Sequence, residues 1–220
     1  LALWTGSGER AWRPLNNPSH TMASAFVDND PRGFGLMQRD REAGHYLDGV
    51  HYERRPSLWV ETDGQWGRGS VQLVEIPTDD EIHDNIVAMW VPEGPAKAGN
   101  AYNFGYKLHW LSDEPFPTRL GRVVATRLGN GGQPGTTRPR GVRKFMVEFL
   151  GPALESIPFG VKPEVVLSTS RGSFSYIVTE AVPDDVPGHW RAQFDLTVGG
   201  VEPVEMRCYL KAGDTVLTET

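Results

Sequence analysis

The sequence predicts an all-β protein built as two successive parts, and three observations carry that prediction. Apolar and polar residues alternate with a period of two along most of the apolar segments, the signature of strands with one covered face. Twenty-five glycines and seventeen prolines are spread along the 220 residues and punctuate short elements, with no clustering into a single linker. No segment carries the 3.6-residue periodicity of a long amphipathic helix.

Taken in order, residues 1–4 (LALW) already read as strand, so a further segment is expected upstream. Residues 71–76 (VQLVEI) alternate cleanly, 86–91 form a more continuously apolar strand, and 102–111 alternate aromatic or apolar with polar residues. The connection at 77–85 contains Asp79, Asp80, Glu81 and Asp84. It reads as a solvated hairpin loop, with a divalent-cation site as the sharper alternative that lacks the glycine-pivoted pattern of a calcium loop.

Composition changes at 112–118 (SDEPFPT), where two prolines and two acids form a linker between a first part, 1–111, and a second, 119–220. Six of the seven tryptophans precede it and only Trp190 follows. The second part predicts strands at 122–128, 144–150, 164–168, 174–179, 190–198 and 205–210, with a short helical turn within 151–158. Gly131-Gly132, Gly160, Gly172, Pro187-Gly188 and Gly199-Gly200 supply the turns. Roughly seven short strands in about 100 residues is the pattern of an immunoglobulin-like β-sandwich.

Charge narrows the function classes. With 22 Lys and Arg against 28 Asp and Glu, the formal net charge is −6, opposite to the basic face a nucleic-acid binder needs. No apolar run approaches the ~20 residues of a membrane-spanning helix. Cys208 is the single cysteine, so no internal disulfide forms. Its place in an alternating run reads as a small buried hydrophobe.

The densest chemistry lies in residues 33–61, GFGLMQRDREAGHYLDGVHYERRPSLWVE. Planar cations (Arg39, Arg41, Arg54, Arg55), acids (Asp40, Asp48, Glu53, Glu61) and rings (His45, Tyr46, His51, Tyr52, Trp59) are interleaved there. Ring faces with bidentate donors at their edges suit sugars, phosphates or carboxylates. Arg39-Asp40-Arg41 reads equally as a structural ion-pair network or as direct substrate contact. In the Arg54-Arg55 pair, one residue pins the loop while the other faces a groove.

His45 and His51 want a third ligand before they make a metal site, and no metal or cofactor is called. Trp90 and Trp110 lie within strands and read as core. Trp59 and Trp66 are evenly divided between core and pocket, and Trp66 sits in a DGQWG turn where exposure is expected. Glycoside hydrolysis needs two carboxyls flanking the scissile bond, and sequence spacing on β-structure selects no such pair.

Five motifs in order carry a resemblance: WRPLNNP (12–18), GFGLMQRDR (33–41), YERRPSLWVE (52–61), WGRGSVQLVEIPT (66–78) and DNIVAMWVP (84–92). Together they resemble the periplasmic glucan biosynthesis proteins OpgG and OpgD (MdoG and MdoD), densely over 1–111 and more loosely to the end. The resemblance implies the C-terminal part of a large β-sandwich domain with a long cleft, followed by the immunoglobulin-like domain, in the periplasm. It implies action on β-1,2-glucan by inverting endo-hydrolysis, with a non-catalytic glucan-binding scaffold as the alternative.

By the same resemblance the loop at 43–62 encloses substrate near a subunit interface of a homodimer, and the protein contacts the inner-membrane glucan synthesis machinery. Arg39, Asp40, Arg41, Tyr46, Asp48, Tyr52, Arg54, Arg55 and Trp66 carry over as cleft or support residues. His51 departs from the aromatic expected there. The catalytic acids are expected upstream of Leu1, so no general acid or base is carried over, and this piece alone is expected to hydrolyse nothing. A sandwich cut within its sheets would leave apolar faces and strand edges bare, making 1–111 the less independent folding unit.

Overall fold

A computed structural model describes residues 1–46, 49–80, 82–158 and 160–220. The described chain is almost entirely antiparallel β-structure and divides into two compact units, Leu1–Pro117 and Thr118–Thr220.

In the first unit, β1 (Ala2–Trp4), β2 (Arg10–Trp12), β4 (Gly33–Leu36), β5 (Ser57–Asp63) and β8 (Gly105–Leu111) form a sheet in the order β2-β1-β4-β5-β8. A second sheet, β3-β6-β7, uses β3 (Met22–Asn29), β6 (Arg68–Glu75) and β7 (Ile86–Pro92). Register explains the sandwich. Ala11, Leu3, Phe34, Val60 and Leu108 are successive partners across all five strands of the first sheet and so share one face. Leu3 and Phe34 meet Val71 and Leu73 of β6 in the core, with Phe26, Ala88 and Trp90 packed around them.

The acidic segment after Glu75 closes the β6–β7 hairpin. The Ile76 N–H donates to the Asn85 carbonyl, and the Asp80 carboxylate accepts the Ile82 N–H. Glu81 lies outside the described residues.

In the second unit, β9 (Arg122–Asn130), β10 (Val142–Leu150), β12 (Ser173–Ala181) and β13 (His189–Thr197) form a four-stranded sheet ordered β12-β13-β10-β9. The three-stranded sheet is β11-β14-β15, from β11 (Glu164–Thr169), β14 (Met206–Ala212) and β15 (Thr215–Val216). Phe194 stacks on Phe145 of β10 and meets Phe174 of β12 edge-on, three rings from adjacent strands on one face. The last residues tie the two sheets together. The buried Glu219 carboxylate accepts the Val123 N–H, and Thr218 Oγ1 accepts the Leu210 N–H. A single helical turn, α1 (Pro152–Glu155), follows Gly151.

The strands expected from alternation form, with small shifts at their ends, but five elements escaped it. β1 has two short neighbours, β2 and β4, of three and four residues. β3 is rich in small and polar residues (MASAFVDN), so its periodicity is faint, although its burial alternates without a break. β5 carries polar residues at its end, and β15 has two residues. Trp110, expected in the core, is instead 64% exposed, because β8 is the outer strand of a five-stranded sheet whose partner sheet has only three. Tyr106 and Leu108 stand bare on the same face.

Candidate functional site

The other face of the five-stranded sheet presents two rows. Trp12, Ala2, Gly35, Trp59 and His109 form one, and Arg10, Trp4, Gly33, Glu61 and Lys107 the other. Glycine at 33 is what lets the Trp59 indole lie across β4. A Cβ at Gly33 would sit 2.6 Å from that ring, and one at Gly35 would meet the backbone of Leu58 and Trp59. Trp59 is buried, packed with Ala2, Met37, Trp4, Trp12 and Phe116.

Cations cover the remaining rings. The Arg10 guanidinium lies 3.7 Å from the Trp4 ring centre and that of Arg39 lies 3.8 Å from the centre of Trp12, distances at which the ring quadrupole attracts a cation. Beside Trp4 opens a pocket of about 330 Å³ lined by Arg32, Glu61, Thr62, Gly64 and Phe116 among others. At its rim, His109 Nε2 and Glu61 Oε2 are 2.8 Å apart.

Residues between β4 and β5 make a twenty-residue excursion that departs at Leu36 and returns at Ser57. Loops of that length within a compact unit are usually functional. Its base is fastened at two arginines. Arg39 donates through Nε and Nη2 to Glu114 Oε1, at 3.2 and 2.5 Å, with both side chains nearly buried. Arg41 serves four acceptors: the carbonyls of Ser112 (2.7 Å), Glu53 (2.9 Å) and Arg55 (2.9 Å), and Ser57 Oγ (3.3 Å).

Arg39 and Asp40 each enter a structural ion pair, with partners outside the Arg39-Asp40-Arg41 triplet. In extended backbone consecutive side chains point to opposite sides, so each finds a separate partner. Asp40 accepts from the Glu42 N–H and pairs with His45 Nδ1 at 2.8 Å. Slight burial disfavours its charge, but the Glu42 N–H and the His45 ring outweigh this and hold the carboxyl below its ordinary value.

The tip is arranged differently. Tyr46 donates its hydroxyl to the Asp40 carbonyl, and its ring centre lies 6.4 Å from that of Tyr52. The Arg55 guanidinium stacks over Tyr52 at 4.2 Å. Arg54, 74% exposed, is 3.3 Å from Glu53. Desolvation pushes the Glu53 carboxyl up, but its own backbone N–H, His51 and Arg54 together outweigh this and hold it below its ordinary value. His51 starts a short 3₁₀ turn (Tyr52–Arg54) in the left-handed conformation, φ 61°, and reaches Glu53 Oε1 at 3.1 Å. Left-handed backbone is uncommon for a residue other than glycine.

Asp48 lies outside the described residues. Trp66 is not exposed on its turn. Its ring is buried against Phe34, Trp90, Phe104 and Tyr106, and its indole N–H donates to the Gly105 carbonyl at 3.0 Å. The turn folds inward because Gly67 continues into β6, whose apolar face lines the core. Sequence reasoning missed Arg10 and His109 as members of this face and Glu114 as the partner of Arg39. Only strand register, which brings residues a hundred positions apart into one row, could have found them. No cluster of three metal-ligating side chains occurs among the described residues.

The profile described as "Periplasmic glucan biosynthesis protein, MdoG" matches residues 1–220 without interruption. The chain belongs to the MdoG family. Among curated relatives, "Glucans biosynthesis protein D 2" of Ralstonia nicotianae is 72% identical over the whole of this chain and 41% of its own length. "Glucans biosynthesis protein D" of Xanthomonas axonopodis pv. citri is 47% identical, and that of Pseudomonas fluorescens 46%, each over all of this chain and 42% of its own length. This MdoG-family chain thus spans about two fifths of the relatives it matches.

Proposed function

We propose that this chain contributes one wall of a glucan-binding cleft in a periplasmic protein that binds, and cleaves or remodels, β-1,2-glucan. The observation that carries the reading is the division of labour in the loop between β4 and β5. Its base arginines, Arg39 and Arg41, are consumed by Glu114, Trp12 and backbone carbonyls. Its tip carries exposed Arg54 and Arg55 beside the half-buried rings of Tyr46 and Tyr52. A flat ring beside a planar donor matches a pyranose, which offers an apolar face and a rim of hydroxyls. The family's printed description as periplasmic and glucan-biosynthetic supports the compartment and the substrate class.

The second unit has four strands ordered β9-β10-β13-β12 and three ordered β11-β14-β15. That is the order of a constant-type immunoglobulin sandwich, and we read it as such a module. Incubating the full-length protein with linear β-1,2-glucan and following oligosaccharide release tests the catalytic reading. Release supports it. Binding without release, with folding verified, leaves the glucan-binding scaffold and overturns cleavage.

A further inference from the structure

We propose a second sugar-binding site, in the second unit, at a pocket of about 430 Å³ between the β9–β10 connection and β12. That volume falls in the ~300–1,000 Å³ range of small-molecule sites. The connection, rich in Gly, Thr and Pro, folds over the face of the four-stranded sheet opposite Phe194. It buries Asp195 completely.

Asp195 forms the floor. One oxygen accepts from Lys144 Nζ at 2.6 Å and the other from the Gly132 N–H at 2.7 Å. The lysine cancels the carboxylate charge, so the floor is electrically neutral overall. Arg138 donates to the carbonyls of Gly131 and Gly132 and holds the connection in place. The walls are uncharged and polar: Gln133, Thr136, Thr137, Ser175 and Thr197.

Tyr176 supplies the platform. Ser175 pairs with Asp195 and Val178 with Gln193, so Tyr176 and Ile177 together oppose Phe194 in a β-bulge. Bulges re-aim side chains. Tyr176 takes the left-handed conformation there, φ 51°, and its ring is 56% exposed at the pocket edge. A bulky residue held in that region is an outlier that sheet pairing alone does not require. An exposed tyrosine and hydroxyl-bearing walls with no cationic side chain match a neutral polyhydroxylated ring. They do not match a phosphate or a carboxylate. The choice of glucose as the sugar rests on the proposed function above; the pocket does not depend on it.

Titration of the isotopically labelled intact chain with a short β-1,2-linked gluco-oligosaccharide, followed by NMR, tests the proposal, with inorganic phosphate as the charged control. Saturable shifts are expected at Gly132, Tyr176 and Thr197. Tyr176→Asn removes the ring while keeping a residue that tolerates left-handed backbone, and it should weaken binding by roughly tenfold. Tyr176→Phe should bind like the parent.

Shifts confined to residues 37–56 would overturn this site and leave the cleft-wall reading intact. Shifts confined to the pocket would uphold the site and count against the loop. Shifts at the pocket with phosphate but not with the sugar, or binding indifferent to Tyr176→Asn in a well-dispersed spectrum, would also overturn it.

Discussion

Gly33 lies under the Trp59 ring of the neighbouring strand: the glycine's missing side chain is the space in which the indole lies, 2.6 Å from where a Cβ would be. The ring is buried and packed on both sides, so it cannot yield. Gly33→Ala should therefore destabilise the first unit by about 2 kcal/mol, the ordinary cost of overpacking. Combining it with Trp59→Leu should recover part of the loss, because the two changes share one space. Chemical denaturation of the two single variants and the double variant checks this; strict additivity would contradict the shared-space account.

Arg39 and Glu114 form a nearly buried pair that joins the excursion after β4 to the segment after β8. Removing one member takes a close opposite charge away from a nearly buried group. Glu114→Ala should cost about 3 kcal/mol and expose residues 37–56 to limited proteolysis. An unchanged cleavage rate would mean that the loop is held elsewhere.

At the tip the expectation reverses. Arg54→Ala should change stability by no more than ~0.5 kcal/mol, as for most exposed positions. Tyr52→Ala removes the ring on which Arg55 stacks. Both variants, made in the full-length protein, should weaken β-1,2-glucan binding by roughly tenfold in calorimetry. Full affinity in both would remove the tip from the cleft.

Cys208 lies opposite Leu167 in the β11–β14 pair, and burial pushes its thiol up from 9.0 to about 12. A thiol raised in the folded state keeps its proton there and loses it sooner when unfolded. Its stabilising contribution is complete below pH 9 and is lost as pH rises toward about 12. At pH 8 a thiol reagent should label the half-buried Cys208 far more slowly than a free thiol, because little of it is thiolate. Rapid labelling of the native chain would show the site to be open.

Hydrogen exchange should separate the two units. β8 is an edge strand whose Tyr106, Leu108 and Trp110 are exposed, whereas β10 and β13 are paired on both sides around the stacked Phe145 and Phe194. Amides of β13 should outlast those of β8. Equal protection would contradict a difference in independence between the units.

Much of this was legible in the chain itself. Alternation located β6 to β14, because a strand with one covered face repeats every two residues. Five motifs in order marked the family, and the crowding of arginines and rings marked the β4–β5 excursion. Tertiary structure alone decided what those residues do. The Arg39-Asp40-Arg41 triplet read equally as an ion-pair network or as substrate contact, and its partners include Glu114, His45 and a set of carbonyls. Trp66 looked like a turn residue and is core, while Trp110 looked like core and is bare.

The physical reason is the same in each case. Strand character depends on near neighbours, whereas burial and partnership depend on register and on how many strands the facing sheet contributes. Trp12, Gly35, Trp59 and His109 are far apart along the chain and adjacent only across hydrogen-bonded strands.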